Sequence, residues 1–162
     1  MAIGAGGVDL GTLQNVGAAP HRLAGEVTFV AGTTGAIGQH TIFTITGLVE
    51  FYIRFECTAD LTSGGAATIS IGNAGSVGEH CGVTTATTID TGAFGNMASQ
   101  IWTAATAIMS SDWATSAATN GLDITSDILV AAISGGTVRY YLEWKPISPG
   151  ATVTLGAELT AI

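Results

Sequence analysis

The stretch LVEFYIRFEC, residues 48–57, decides the fold class. Val49, Phe51, Ile53, Phe55 and Cys57 alternate with Glu50, Tyr52, Arg54 and Glu56. Successive side chains of an extended chain point to opposite faces, so this period of two predicts a strand with one buried and one wetter face. A second stretch of the same style is TVRYYLEWK, residues 137–145, where Val138, Tyr140, Leu142 and Trp144 alternate with Arg139, Tyr141, Glu143 and Lys145. The outer faces carry Glu50, Arg54 and Glu56 on one strand and Arg139, Glu143 and Lys145 on the other, a distribution that suits cross-strand pairing.

Between these two lie shorter β-prone pieces. ATISIG (67–72) directs Ile69 and Ile71 inward, TTATTID (84–90) reads as a weaker strand, and in LDITSDILVAAI (122–133) Leu122, Ile124, Ile128 and Val130 share a parity. Gly-rich turns separate them: TSGG (62–65), GNAG (72–75), TNG (119–121) and SGG (134–136). Short alternating strands at such spacing predict an all-β chain, an antiparallel β-sandwich or jelly-roll-like barrel. The segment 96–117 is irregular, with one more strand expected around Gln100 to Thr103. Residues 1–25 have no sustained apolar period and read as an extended N-terminal arm, leaving 26–162 as the sandwich domain. Val8, Leu10, Leu13 and Val16 give that arm an apolar grip for a neighbouring subunit.

Composition bounds the function. Of 162 residues only 10% are charged and 23 are glycine, against roughly 25% charged in an average soluble domain. The surface must be built from Thr, Ser, Gly and Ala, which suits burial against partners. Recurring β-branched and aromatic residues argue against disorder. No run approaches the ~20 apolar residues of a membrane-spanning helix, and the start MAIGAGGVDLGTLQ lacks a secretion-signal pattern, so the chain is expected to be free of the membrane. The net charge is −8, and Arg22, Arg54, Arg139 and Lys145 are dispersed. Nucleic-acid binding needs clustered Lys and Arg, so direct contact with nucleic acid is not expected.

The strongest chemical lure is VAGTTGAIG, with Gly32, Gly35 and Gly38 after a β-prone run. A dinucleotide cradle requires such glycines to open a helix whose N-terminal N–H groups meet phosphate. Here QHTIFTITG follows, three Thr, two Ile and one Phe that favour extended backbone. The glycines therefore read as a loop between two antiparallel strands, with no cofactor. His80 and Cys81 are adjacent, and neighbours on a strand point to opposite faces, so they form no catalytic pair. His21 and His40 stand alone, without the paired spacing of a zinc site, and no metal is expected. Asp123 and Asp127 read as solvent-facing strand positions. Cys57 continues an apolar face and reads as a buried thiol. Trp144 belongs to a core face, whereas Trp102 and Trp113, in the irregular segment, are interface candidates.

The stretches VEFYIRFECTADLTSGGAATISIGNAG, TTATTID and LDITSDILVAAISGGTVRYYLEWKPISPGATV, taken in that order, resemble small virion structural proteins of tailed bacteriophages, over roughly Gly38 to the C-terminus. The resemblance implies a non-enzymatic all-β protein of the phage particle. Within that group the capsid decoration, or cement, type is the best match. It implies placement on the capsid exterior after synthesis in the host cytoplasm. Its partners would be the major capsid protein and copies of itself in a homo-oligomer such as a trimer. The alternative within the same particle is a tail fibre or tail-tip module that binds a host-surface receptor or glycan, with Trp102, Trp113 or Tyr141 as stacking platforms. An enzymatic alternative, a nucleotide-dependent reductase, depends on Gly32, Gly35 and Gly38.

Overall fold

A computed structural model describes residues 19–97, 102–103 and 117–162. Among these the strands, in chain order, are β1 (His21–Thr28), β2 (Gly38–Thr46), β3 (Leu48–Thr62), β4 (Thr68–Asn73), β5 (Ser76–Thr85), β6 (Phe94–Asn96), β7 (Trp102–Thr103), β8 (Ala117–Asn120), β9 (Ile124–Leu129), β10 (Gly135–Pro146), β11 (Thr152–Leu155) and β12 (Thr160–Ala161). They form two antiparallel sheets. The first runs β12-β1-β10-β3-β6-β7, with β8 also on β3, and the second runs β11-β2-β9-β4-β5. The expected all-β sandwich is the observed architecture.

The two stretches with the clearest alternation lie side by side at the centre of the first sheet. In the β3–β10 ladder Phe51 faces Trp144, Ile53 faces Leu142, Phe55 faces Tyr140 and Cys57 faces Val138. All eight are buried. Their inner face meets Phe43, Ile45, Ile69, Ile71, Ile124 and Ile128 of the second sheet, also buried and part of the same core cluster. Full burial of one such side chain stabilises the fold by about 1.5–3 kcal/mol, so this two-sided set is the main source of stability. The Tyr140 hydroxyl reaches across the core to Ser126 Oγ at 3.4 Å. On the opposite face Glu50 lies beside Lys145 and Glu56 beside Arg139, as the charge pattern predicts.

Several expectations are corrected. The first sheet begins at His21, so residues 21–25 of the expected arm are strand. Val8, Leu10, Leu13 and Val16 lie outside the described residues. TTATTID is not a strand throughout: β5 ends at Thr85 and Ala86–Thr88 form a 3-10 turn. Of the strand expected over 100–103, Trp102–Thr103 are observed, paired with β6.

The shared parity of Leu122, Ile124, Ile128 and Val130 holds only for the middle pair. Ile124 and Ile128 are buried, whereas Leu122 and Val130 are exposed beyond the strand ends. Asp127 is not solvent-facing but 2% exposed, because β9 is a central strand whose residues are covered on both faces. Val130 has φ of 70°, left-handed backbone, which for a β-branched residue costs on the order of 1–3 kcal/mol.

Candidate functional site

The loop after β1, the candidate cofactor cradle, is held by hydrogen bonds of its own. Gly35 N–H donates to Val30 O at 2.9 Å, Thr33 N–H donates to the same oxygen at 3.1 Å, and Ala36 N–H donates to Thr33 O at 3.0 Å. Val30 N–H donates to Thr34 Oγ1 at 3.0 Å, and that hydroxyl donates to Thr28 O at 2.7 Å. A phosphate site needs free amides pointing at the ligand, and the Val30, Thr33, Gly35 and Ala36 amides are spent inside the loop. Gly38 opens β2 rather than a helix. One detail differs from expectation: β1 and β2 belong to different sheets, so the loop is a crossover between layers and not a hairpin.

The outer face of the first sheet gathers charge from three strands. Arg54 of β3 donates through Nη2 to Glu143 Oε1 of β10, and Arg22 Nε of β1 lies 3.5 Å from the same oxygen. Arg139 Nε donates to Glu26 Oε2 at 2.6 Å, and the Tyr141 hydroxyl donates to Glu56 Oε2 at 2.9 Å. All three arginines are thus engaged with carboxylates of the same face, which leaves no basic stripe to follow a phosphate backbone. A cleft of ≈ 320 Å³ lies over Arg22, Arg54 and Glu143, with Ile162 among its lining residues.

At one end of the sandwich a cleft of ≈ 350 Å³ is lined by Phe51, Asn73, Ser76, His80, Thr119 and Leu122, among others. The β4–β5 turn, β8 and the start of β9 bring these together. Its buried wall is His80, set edge-on against Phe51 with ring centroids 5.2 Å apart. Burial lowers the His80 pKa below its ordinary value, against the opposing charge of Glu79. Asn73 donates to Glu79 and accepts the Gly75 N–H at 2.9 Å, which fixes the turn. The cleft can take a small hydrogen-bonding group beside a neutral imidazole. Asn73, Ser76 and Thr119 carry no sequence signal for this placement, because the turn and β8 meet only through the fold.

His80 and Cys81, read as a non-catalytic pair, are both buried. Burial pushes the Cys81 thiol up to about 12 and the Cys57 thiol up to about 11. Cys57 Sγ also donates to Ala59 O at 3.1 Å. Both cysteines are free, consistent with the buried thiol expected at Cys57. Such thiols supply almost no thiolate near neutral pH. His40 is held between Glu158 Oε2 and Ala36 O, each 2.8 Å from a ring nitrogen. His21 stacks on Trp144 at 4.5 Å. Among the described residues no three His, Cys, Asp or Glu side chains gather as metal ligands.

Of the tryptophans, Trp144 is buried in the core as expected. Trp102 is half-buried, its ring 4.5 Å from that of Phe55, and its indole nitrogen is buried with no hydrogen-bond partner among the described residues. Trp113 lies outside the described residues. Among the described residues no helix is long and apolar enough to cross a membrane.

No protein-family model matches the chain, and no curated protein matches it. Among solved structures, it is similar to a chain of the acidic stable capsid structure of Helicobacter pylori bacteriophage KHP30. The sequences are 11% identical, 86% of this chain and 95% of that chain are covered, and the TM-score is 0.48. No residue role is carried over from that likeness.

Proposed function

We propose that this chain is a non-enzymatic structural protein of a tailed-phage virion that decorates the capsid exterior by bridging major capsid protein subunits and touching copies of itself. The observation that carries the reading is where the resembling stretches fall. They supply β3 and β10 at the centre of one sheet and β4 and β9 inside the other, so the likeness to virion proteins covers the framework of the domain rather than one motif. A sandwich with a Thr/Gly/Ala surface spreads its contacts over several neighbours, and binding to an assembled shell adds stability by mass action. The apolar residues Val8, Leu10, Leu13 and Val16 are the proposed strap onto an adjacent subunit.

The tail-module reading has weaker support. Of its three stacking platforms, Trp102 leans on Phe55 and the Tyr141 hydroxyl is held by Glu56. Locating the chain in purified particles by imaging, together with its copy number, tests the proposal. A stoichiometry close to that of the shell protein supports decoration, and a handful of copies at the tail overturns it. Removing residues 1–19 is expected to leave the sandwich folded and to weaken attachment to shells. Unchanged attachment would eliminate the strap.

A further inference from the structure

The ≈ 350 Å³ cleft between the β4–β5 turn, β8 and the start of β9 has a buried histidine in its wall. His80 is 4% exposed. Its imidazole stands edge-on to Phe51 and feels the charge of Glu79, and it has no hydrogen-bond partner among the described residues. A buried polar group left unpaired destabilises the fold. A wall that served packing alone would carry Leu or Phe there, so the unpaired ring marks a place for a ligand.

The rest of the lining selects its chemistry. Asn73 is spent on its own turn, donating to Glu79 and accepting the Gly75 N–H. The Thr119 hydroxyl donates to Leu122 O at 3.4 Å, so it offers the cleft its lone pairs. Glu79 is a carboxylate and only accepts. Among the described residues that line the cleft none is Lys or Arg. The wall is therefore rich in acceptors and carries negative charge, which repels carboxylates and phosphates and suits a cation with several N–H donors. A sugar finds no stacking face, because Phe51 is 1% exposed.

We propose that this cleft binds a primary ammonium group on an aliphatic stem. The His80 ring and the Thr119 hydroxyl accept from it, Glu79 supplies the opposite charge, and Leu122, 37% exposed, lies along the stem. A lysine side chain of a neighbouring protein and a free alkylamine share that chemistry. Protonation of His80 removes its acceptor and sets a second cation beside the first. Burial lowers the His80 pKa against the charge of Glu79, so the acceptor persists through neutral pH and is lost below the ordinary value of about 6.5. Of the elements around the ring, β4 and β8 carry no ionisable side chain, and Glu50 of β3 lies on the outer face beside Lys145. Cys81, pushed up to about 12, stays a thiol, and Asp123 accepts the Ile45 N–H at 3.1 Å. The inference goes beyond the capsid reading and does not rest on it.

The test is an NMR titration of the full chain, following amide and histidine-ring signals, with butylamine, acetyl-lysine amide, butyrate and methyl glucoside as probes. Butylamine is expected to shift the signals of Ser76, His80 and Thr119 with a millimolar dissociation constant. That constant should rise roughly tenfold or more in His80→Phe and severalfold in Glu79→Gln. Binding should fade as pH falls to about 5 in both wild type and Glu79→Gln, which assigns the loss to His80. Glu79 is exposed, so its variant remains informative if His80→Phe does not fold. Binding of the lysine amide as tight as that of butylamine supports the site and points to a partner's side chain. Binding of butylamine alone supports it and points to a free amine. The proposal is overturned by no shift at about 50 mM amine, by butyrate or the glucoside moving the same signals as strongly, or by unchanged affinity in Glu79→Gln.

Discussion

Gly35 and Ile133 lock the two sheets together at one end of the sandwich. Ile133 N–H donates to Gly35 O at 2.9 Å, and a β-carbon on Gly35 would stand 1.9 Å from Ile133 O. The glycine motif that imitates a phosphate loop is thus a packing device.

Substituting these glycines should separate close approach from conformation. Gly35→Ala must move backbone and is expected to cost about 3 kcal/mol or more. Gly32 has φ of +82° and nothing within 4 Å, so Gly32→Ala should cost about 1 kcal/mol from conformation alone. Urea denaturation of both variants measures the difference, and equal losses would refute the packing account.

The Arg54–Glu143 pair should matter far more than Arg22–Glu143. Side-chain exposures are 23% for Arg54, 7% for Glu143 and 78% for Arg22. Glu143→Ala leaves Arg54 without its carboxylate in a mostly covered site, for an expected loss of about 2–4 kcal/mol, a little below that of a fully buried pair. Arg22→Ala should change stability by no more than about 0.5 kcal/mol. Similar losses for both would show that burial does not set the strength of this cluster.

Asp127 and His80 should give opposite pH signatures. Burial is the main cause that raises the Asp127 pKa, against hydrogen bonds from Gln39 and Thr125 and the charge of His40. The folded chain therefore holds that proton longer than the unfolded one, and stability is lost as pH rises through the folded pKa. Asp127→Asn should be more stable than wild type near neutral pH, with the gap closing below the ordinary carboxylate range. A gap independent of pH would contradict this.

For His80 the folded pKa lies below the ordinary value because of burial. The unfolded chain binds the proton first, so stability falls as pH drops from about 6.5 toward the folded pKa. His80→Gln should flatten that part of the stability profile. Thermal melts at a series of pH values would decide it, and a variant as acid-sensitive as wild type would remove His80 from the account.

The thiols offer a simple probe of the core. With Cys57 raised to about 11 and Cys81 to about 12, both should resist a thiol reagent in the folded protein and react fully in denaturant. Rapid labelling of either one without unfolding would mean that its site opens locally.

The central ladder was legible because its residues obey a strict period of two, with apolar and charged positions on separate faces. That pattern specified β3 and β10, their pairing and the inward row from Phe51 to Trp144. β9 was misread at both ends and at Asp127, because a strand covered on both faces has no wet side to mark its parity. The His80 cleft was invisible for another reason. Phe51, Asn73, His80 and Thr119 come from four strands, and no spacing in the chain relates them. Val130 shares the parity of Ile124 and Ile128 in the sequence, yet it stands exposed just past the end of β9, because parity alone does not mark where a strand stops.

An all-β chain, the core faces of its best strands, a weakly charged surface and a glycine loop followed by strand rather than helix could all be read along the chain. These properties follow from local backbone preference and side-chain alternation, which neighbouring residues encode. Tertiary packing was needed to show that the glycine loop crosses between sheets, that Asp127 is buried, and that the loops around Gly35, Ser63 and Ile133 are hydrogen-bonded to one another at one end. Those depend on which strands become neighbours, and long-range packing settles that through contacts between residues far apart in the chain.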